Sequence, residues 1–213
     1  MKSQQVEKLL EACERAKGNY SVMYPIVKDR LGEYTEEELF GAQEIMFFEE
    51  RYLKGLKHMY ENGIHGHILD IGCQFGFQSE LFLDEESYTG VDVFRHRFFN
   101  QDIPNISYQI GSYPNQLSFD VSKYIVFSSM SLGYFPIRGE DGKIQINTND
   151  DGYVDVFVEA LRECNHLYIS STEEVLNRLK EIFSKQELLD ENVFPGGPLH
   201  KPSRFDMYYF GKE

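Results

Sequence analysis

At 213 residues, 41% hydrophobic and 26% charged, the chain is long enough for one domain with a full core plus an extension, and its balance indicates neither disorder nor a membrane protein. A net charge of -14, from 35 acidic against 21 basic residues, makes nucleic acid a disfavoured partner, because no concentrated Lys/Arg run offsets that field. The cysteines Cys13, Cys73 and Cys164 are odd in number and far apart, which suits free thiols rather than a disulfide framework or a metal site.

In chain order, Val6, Leu9, Leu10 and Cys13 fall at helical spacing with Glu7, Lys8, Glu11 and Glu14 on the other face, so a short surface helix is expected. The N-terminus has no apolar stretch of the signal-peptide kind, and no window approaches the roughly 18 apolar residues of a spanning helix; the expected location is the cytoplasm, without membrane. Thr35 and Glu38 form a capping box for a second helix whose buried stripe is Leu39, Ala42, Ile45, Met46, Leu53 and Leu56, with Gly63 at its stop.

From His67 the pattern changes to β-branched and apolar runs alternating with helices, which predicts a mostly parallel sheet. Strands are expected at 67–71, 88–93, 106–110, 123–129 and 166–171. Asp150 is placed to cap a helix carrying Tyr153, Val156, Phe157, Ala160 and Leu161 inward. Ser171 and Glu174 form a capping box for another with Val175, Leu176, Leu179, Ile182 and Phe183 on one face. The Asp141-Gly142 pair within 133–149 suggests a small hairpin. Leu188–Phe194 and Phe205–Phe210 have no helix between them, so the sheet should end antiparallel.

The string His67-Ile68-Leu69-Asp70-Ile71-Gly72-Cys73-Gln74-Phe75-Gly76-Phe77 reads as an apolar strand entering a glycine turn before a helix. Backbone N–H groups there face whatever sits above the strand ends. Tyr88-Thr89-Gly90-Val91-Asp92 then makes a strand ending in an acid, placed to accept both hydroxyls of a ribose. A charge-assisted bond of that kind contributes roughly 1.5–3 kcal/mol. A nicotinamide-dinucleotide site prefers Gly-x-Gly-x-x-Gly, which Gly72-x-x-x-Gly76 does not supply.

These residues resemble the first motif of the class I S-adenosylmethionine-dependent methyltransferases. Asp70, Gly72 and Gly76 stand at its acid and outer glycines, Gln74 at its middle glycine, and Asp92 at its ribose-binding acid. The resemblance spans about residues 64–213. It implies an α/β, Rossmann-like three-layer sandwich with a seven-stranded sheet ending in an antiparallel pair, and residues 1–63 as an N-terminal helical lid. It also implies S-adenosylmethionine as cofactor, held by Asp70, Gly72, Cys73, Gln74, Gly76, Asp92, Val93, Phe94, Gly111, Ser112 and Ser128. Family members often carry an acid after the third strand, where this chain has Gly111-Ser112; a serine oxygen, a backbone group or the ring of Tyr113 is the candidate adenine contact there.

Methyl transfer needs alignment more than a catalytic base, so the expected acceptor-side residues are few: Ser128 and Ser129 at the fourth strand end, and Tyr134 as a pocket wall. Tyr20, Tyr24, the 133–149 insertion and Phe194–Arg204, with His200 and Lys201, are candidate lid elements. The six histidines show no ligand spacing, and no metal is expected. The reading is a methyltransferase for a small-molecule or protein acceptor. Its rival is a domain that binds the cofactor, or S-adenosylhomocysteine, without transfer.

Overall fold

The computed structural model describes residues 6–8, 10–11, 51–73, 76–95, 99, 103–129, 135–138, 144–147, 151–191, 193–194, 203–204 and 206–212. Its centre is one seven-stranded sheet. The strands are β1 (His67–Ile71), β2 (Ser87–Asp92), β3 (Ile106–Ile110), β4 (Ile125–Ser129), β5 (Phe135–Arg138), β6 (Ile144–Asn147), β7 (His166–Ser170), β8 (Lys185–Asp190), β9 (Val193–Phe194), β10 (Ser203–Arg204) and β11 (Met207–Gly211). The sheet order is β3-β2-β1-β4-β7-β11-β8. Neighbouring pairs from β3 to β7 are parallel, and β11 runs antiparallel between β7 and β8. The expected antiparallel ending is present.

Residues 51–61 form a helix, α1; two more are α2 (Asp151–Ala160) and α3 (Glu173–Ile182). Alternation along the strands sends side chains to two layers. On one face Leu69, Ile71, Val126, Leu167 and Ile169 pack with Phe157, Leu161, Val175, Leu176 and Leu179 of the region of α2 and α3. On the other, Ile68, Tyr88, Phe127, Tyr168 and Met207 pack with Tyr52, Leu53, Leu56 and Met59 of α1. Each such apolar side chain contributes roughly 1.5–3 kcal/mol by leaving water. The C-terminal part of the proposed extension is therefore a layer of the core. The helix ends where Gly63 predicts: at φ 63° it lets Gly63 N–H reach Tyr60 O (3.3 Å) and Ile64 N–H reach Met59 O (2.9 Å).

Several expectations change. Val156 is 48% exposed, and Val158 takes the inward place beside Phe157. The cap of α3 is Thr172, without a side-chain hydrogen bond, so no Ser171–Glu174 box forms; Ser171 is buried instead. The first crossover is a short 3-10 helix, Phe77–Phe82. The strand expected at 188–194 begins at Lys185, and Val193–Phe194 pairs separately with Ser203–Arg204. Exposure explains the miss: β8 is an edge strand whose first three residues, Lys185, Gln186 and Glu187, face solvent and carry no apolar signal. β5 and β6 form the expected antiparallel pair, with Asp141 and Gly142 outside the described residues. The Thr35–Glu38 box, the stripe from Leu39 to Met46, Tyr20, Tyr24, His200 and Lys201 also lie outside them. Among the described residues, no helix is long and apolar enough to cross a membrane.

Candidate functional site

The chain leaves β1 in a hook over the end of β2. Gly72 N–H and Cys73 N–H both donate to Val91 O, at 2.7 and 3.0 Å, and Gly76 N–H closes the turn on Cys73 O at 2.9 Å. Gly72 and Gly76 sit at φ 76° and 77°, where a side chain is strained. Gly76 has a second reason to lack one. A Cβ there would come within 2.7 Å of the Tyr108 ring, whose hydroxyl lies 3.1 Å from Gly76 O and 3.0 Å from Ser79 Oγ. Gly76 therefore seats Tyr108 from β3, which in turn stacks on Phe99 at 4.0 Å. Gln74 lies outside the described residues.

Asp70, expected among the ligand contacts, is fully buried beneath this turn. Tyr52 donates to its Oδ1 at 2.8 Å; Tyr88 and Gln78 donate to Oδ2 at 2.5 and 2.8 Å. Burial pushes the carboxyl up to about 6 against the opposing pull of these donors, and the Asp92 charge adds to the rise. Both of its oxygens are therefore taken by protein donors, in place of the direct ligand contact expected of it. The Cys73 thiol is buried and pushed well up, first by desolvation and then by Asp70 and Asp92, so it lines the turn as a neutral group. Neither Tyr52 nor Gln78 stood out in the sequence, because their contacts with Asp70 are long-range.

Asp92 ends β2 at 9% exposure, with Oδ1 accepting from Phe94 N–H at 3.0 Å. Gly111 N–H donates to Asp92 O at 2.9 Å, tying the ends of β2 and β3 together. Around this carboxylate three large apolar residues are exposed: Val93 (38%), Phe94 (41%) and Ile110 (45%). Ile110 pairs in register with Asp92; the sequence signal that would have found it is its place as the last residue of the third strand. An acid ringed by solvent-facing apolar surface suits a group with a flat apolar ring on one side and hydroxyls on the other.

The two adenine candidates beyond β3 fare differently. Ser112 is half-buried, its N–H donating to Gln116 Oε1 (3.0 Å) and its carbonyl accepting from Gln116 N–H (2.8 Å) and Leu117 N–H (3.1 Å). Tyr113 is turned into the core, donating to Ala160 O at 2.9 Å with Phe157 edge-on to its ring, so it offers no face to a ligand. At the end of β4, Ser128 is buried and its Oγ donates to Ile71 O at 3.3 Å. Ser129 faces the other way, toward the α1 layer. It is 6% exposed, and among the described residues its buried Oγ has no hydrogen-bond partner, an arrangement that costs roughly 1–3 kcal/mol unless something completes it. Tyr134 lies outside the described residues. The described residues contain no cluster of three or more His, Cys, Asp or Glu able to hold a metal ion.

The sequence matches no protein-family model and no curated protein. Among solved structures, the chain is similar to the 1,6-didemethyltoxoflavin-N1-methyltransferase of Burkholderia thailandensis, solved with 1,6-didemethyltoxoflavin and S-adenosylhomocysteine bound. The TM-score is 0.51 at 12% identity, over 91% of this chain and 89% of that one. It is similar also to the N-methyltransferase NodS of Bradyrhizobium japonicum in complex with S-adenosylhomocysteine, with TM-score 0.50 at 14% identity, over 88% of this chain and 98% of that one. With the strand order and the inserted antiparallel β11, these likenesses define the class: the chain has the Rossmann-like fold of the class I S-adenosylmethionine-dependent methyltransferases.

Proposed function

We propose that the chain binds S-adenosylmethionine and transfers its methyl group to a small-molecule or protein acceptor by in-line displacement. The observation that carries this reading is Asp92 at the end of β2, flanked by exposed Val93, Phe94 and Ile110 and adjoining the Gly72–Gly76 turn. A ribose edge fits the carboxylate, and an adenine ring fits the apolar surfaces. When bound, the cofactor supplies a methyl group already activated by its sulfonium charge. The protein has to align the acceptor and exclude water, which can supply roughly 7–11 kcal/mol of the barrier. Ser129, with its unanswered buried hydroxyl at the end of β4, is the acceptor-side group we assign to orientation. The extension through residue 63 is assigned to covering the site, with α1 as its anchor on the sheet.

Two measurements test this. Calorimetric titration with S-adenosylhomocysteine is expected to show a single site, and no heat at millimolar ligand sinks the proposal. Labelled S-adenosylmethionine incubated with cell extract and the purified chain is expected to label an acceptor. Binding with persistently blank transfer supports instead the rival reading, a cofactor-binding domain without activity.

A further inference from the structure

Three donors from three different elements converge on Asp70. Tyr52 comes from α1 (2.8 Å to Oδ1), Tyr88 from β2 (2.5 Å to Oδ2) and Gln78 from the 3-10 helix (2.8 Å to Oδ2). The second amide hydrogen of Gln78 goes to Cys73 O at 2.7 Å, the same carbonyl that accepts from Gly76 N–H. A continuous hydrogen-bonded path therefore runs from the helix before the sheet, through a buried carboxylate, to the carbonyl that closes the glycine turn. We propose that Tyr52 is a positioning residue for the nucleoside site: through Asp70 and Gln78 it holds the Gly72–Gly76 turn in its receiving shape, so the seating of α1 governs cofactor affinity. This rests on the S-adenosylmethionine reading above.

The hydroxyl of Tyr52 is separable from its ring. The ring stacks on Phe127 at 5.6 Å and meets Phe82 edge-on at 6.2 Å, contacts that phenylalanine would keep. What the hydroxyl adds is one donor to a carboxylate. Only the ionised carboxylate can accept from all three donors, because protonation turns one oxygen into a donor facing a phenol or an amide. The other groups around Asp70 are the phenols of Tyr52, Tyr88 and Tyr108, the Cys73 thiol and the Asp92 carboxylate. Burial raises the phenols and the thiol, so they remain protonated through neutral pH, while Asp92 contributes a like charge. Removing the Tyr52 donor favours the protonated carboxyl, and the turn then loosens at a pH where the wild-type chain still holds it.

The test follows two quantities in the full chain from about pH 5 to about pH 8.5. One is the side-chain carboxyl carbon signal of Asp70 in ligand-free protein. The other is calorimetric affinity for S-adenosylhomocysteine. In the wild type both are expected to change together near pH 6, with affinity falling as Asp70 takes up its proton. In Tyr52→Phe both midpoints are expected about one pH unit higher. Affinity should then be about fivefold weaker near pH 6, about twofold weaker near pH 7 and nearly equal to that of the wild type at the alkaline end. A wild-type affinity that stays flat while Asp70 titrates overturns the proposal without any variant. So does a Tyr52→Phe chain whose affinity is unchanged, or uniformly weaker with its midpoint unmoved, which would mark the hydroxyl as packing only. A wild type that binds no S-adenosylhomocysteine at any pH overturns the cofactor reading itself, and this proposal with it.

Discussion

Asp70 in β1 and Asp92 at the end of β2 lie in one motif but in opposite surroundings: Asp92 adjoins an exposed apolar rim, and Asp70 lies under three donors. Asp92→Asn keeps an oxygen for Phe94 N–H and removes the charge, so the loss falls on the ligand. We expect S-adenosylhomocysteine affinity to drop about 10- to 100-fold with thermal stability little changed; unaltered affinity by calorimetry removes the ribose assignment. Gly76→Ala meets a different obstacle, since a side chain at φ 77° is strained and its Cβ runs into Tyr108. That substitution should cost roughly 1–3 kcal/mol in urea denaturation, and a neutral result would show that the Tyr108 ring moves aside freely.

Among elements, α1 carries the most that local pattern could not convey. Its Gly55 lies so close to β4 that an added Cβ would come within 2.7 Å of Phe127 Cε1. Alanine is the better helix former by about 1 kcal/mol, yet here overpacking should win and Gly55→Ala should destabilise by roughly 1–3 kcal/mol; stabilisation in urea melts would refute the close seating. The strands β1, β2, β3, β4 and β7 were legible to within two residues at their ends; for β1, β2, β4 and β7, in the middle of the sheet, the reason is that covered strands are written as apolar runs bounded by breakers. The start of edge strand β8 and the place of Val156 on α2 were not, since exposure on one side leaves polar residues in a strand and lets Val156 face water, while Phe157 and Leu161 lie inward as expected. Likewise the capping residues before α3 read as a box, but Ser171 is buried just beyond β7 and Thr172 is the cap residue of a helix that starts at Glu173.

At the scale of the whole molecule, buried titratable groups pull stability in opposite directions with pH. Asp70 is pushed up to about 6 from 3.8, so the folded chain binds the extra proton between those values; this contribution strengthens the fold as pH falls through about 6. At neutral pH the ionised group costs on the order of 2–3 kcal/mol, which fits a residue kept for shaping the turn. His58, bonded through Nδ1 to Tyr168 Oη at 2.8 Å, and His166, bonded to Tyr209 Oη at 2.9 Å, are both lowered from 6.5, chiefly by burial. Glu187 Oε2 stands 3.3 Å from His58 Nε2 but out of line for a hydrogen bond, and its charge only partly offsets that burial. Below about 6.5 the unfolded chain takes these protons first, so their contribution is present above that pH and is lost on acidification. Thermal unfolding followed from about pH 7.5 to about pH 5 should therefore fall more steeply in Asp70→Asn than in the wild type, and less steeply in His58→Gln. Parallel curves would show that neither group governs acid stability.

By itself the sequence determined the strand, glycine turn and acid-ended second strand, together with the antiparallel finish, because these follow from backbone sterics and from periodicity over a few residues. It also singled out the two acids, Asp70 and Asp92. Which one is spent on protein donors was decided only by the tertiary structure: Tyr52, Tyr88 and Gln78 reach Asp70 across 18, 18 and 8 residues, and Ile110 joins Asp92 through strand register. Contacts of that span arise from how helices and strands pack, and packing leaves no mark on the local order of residues.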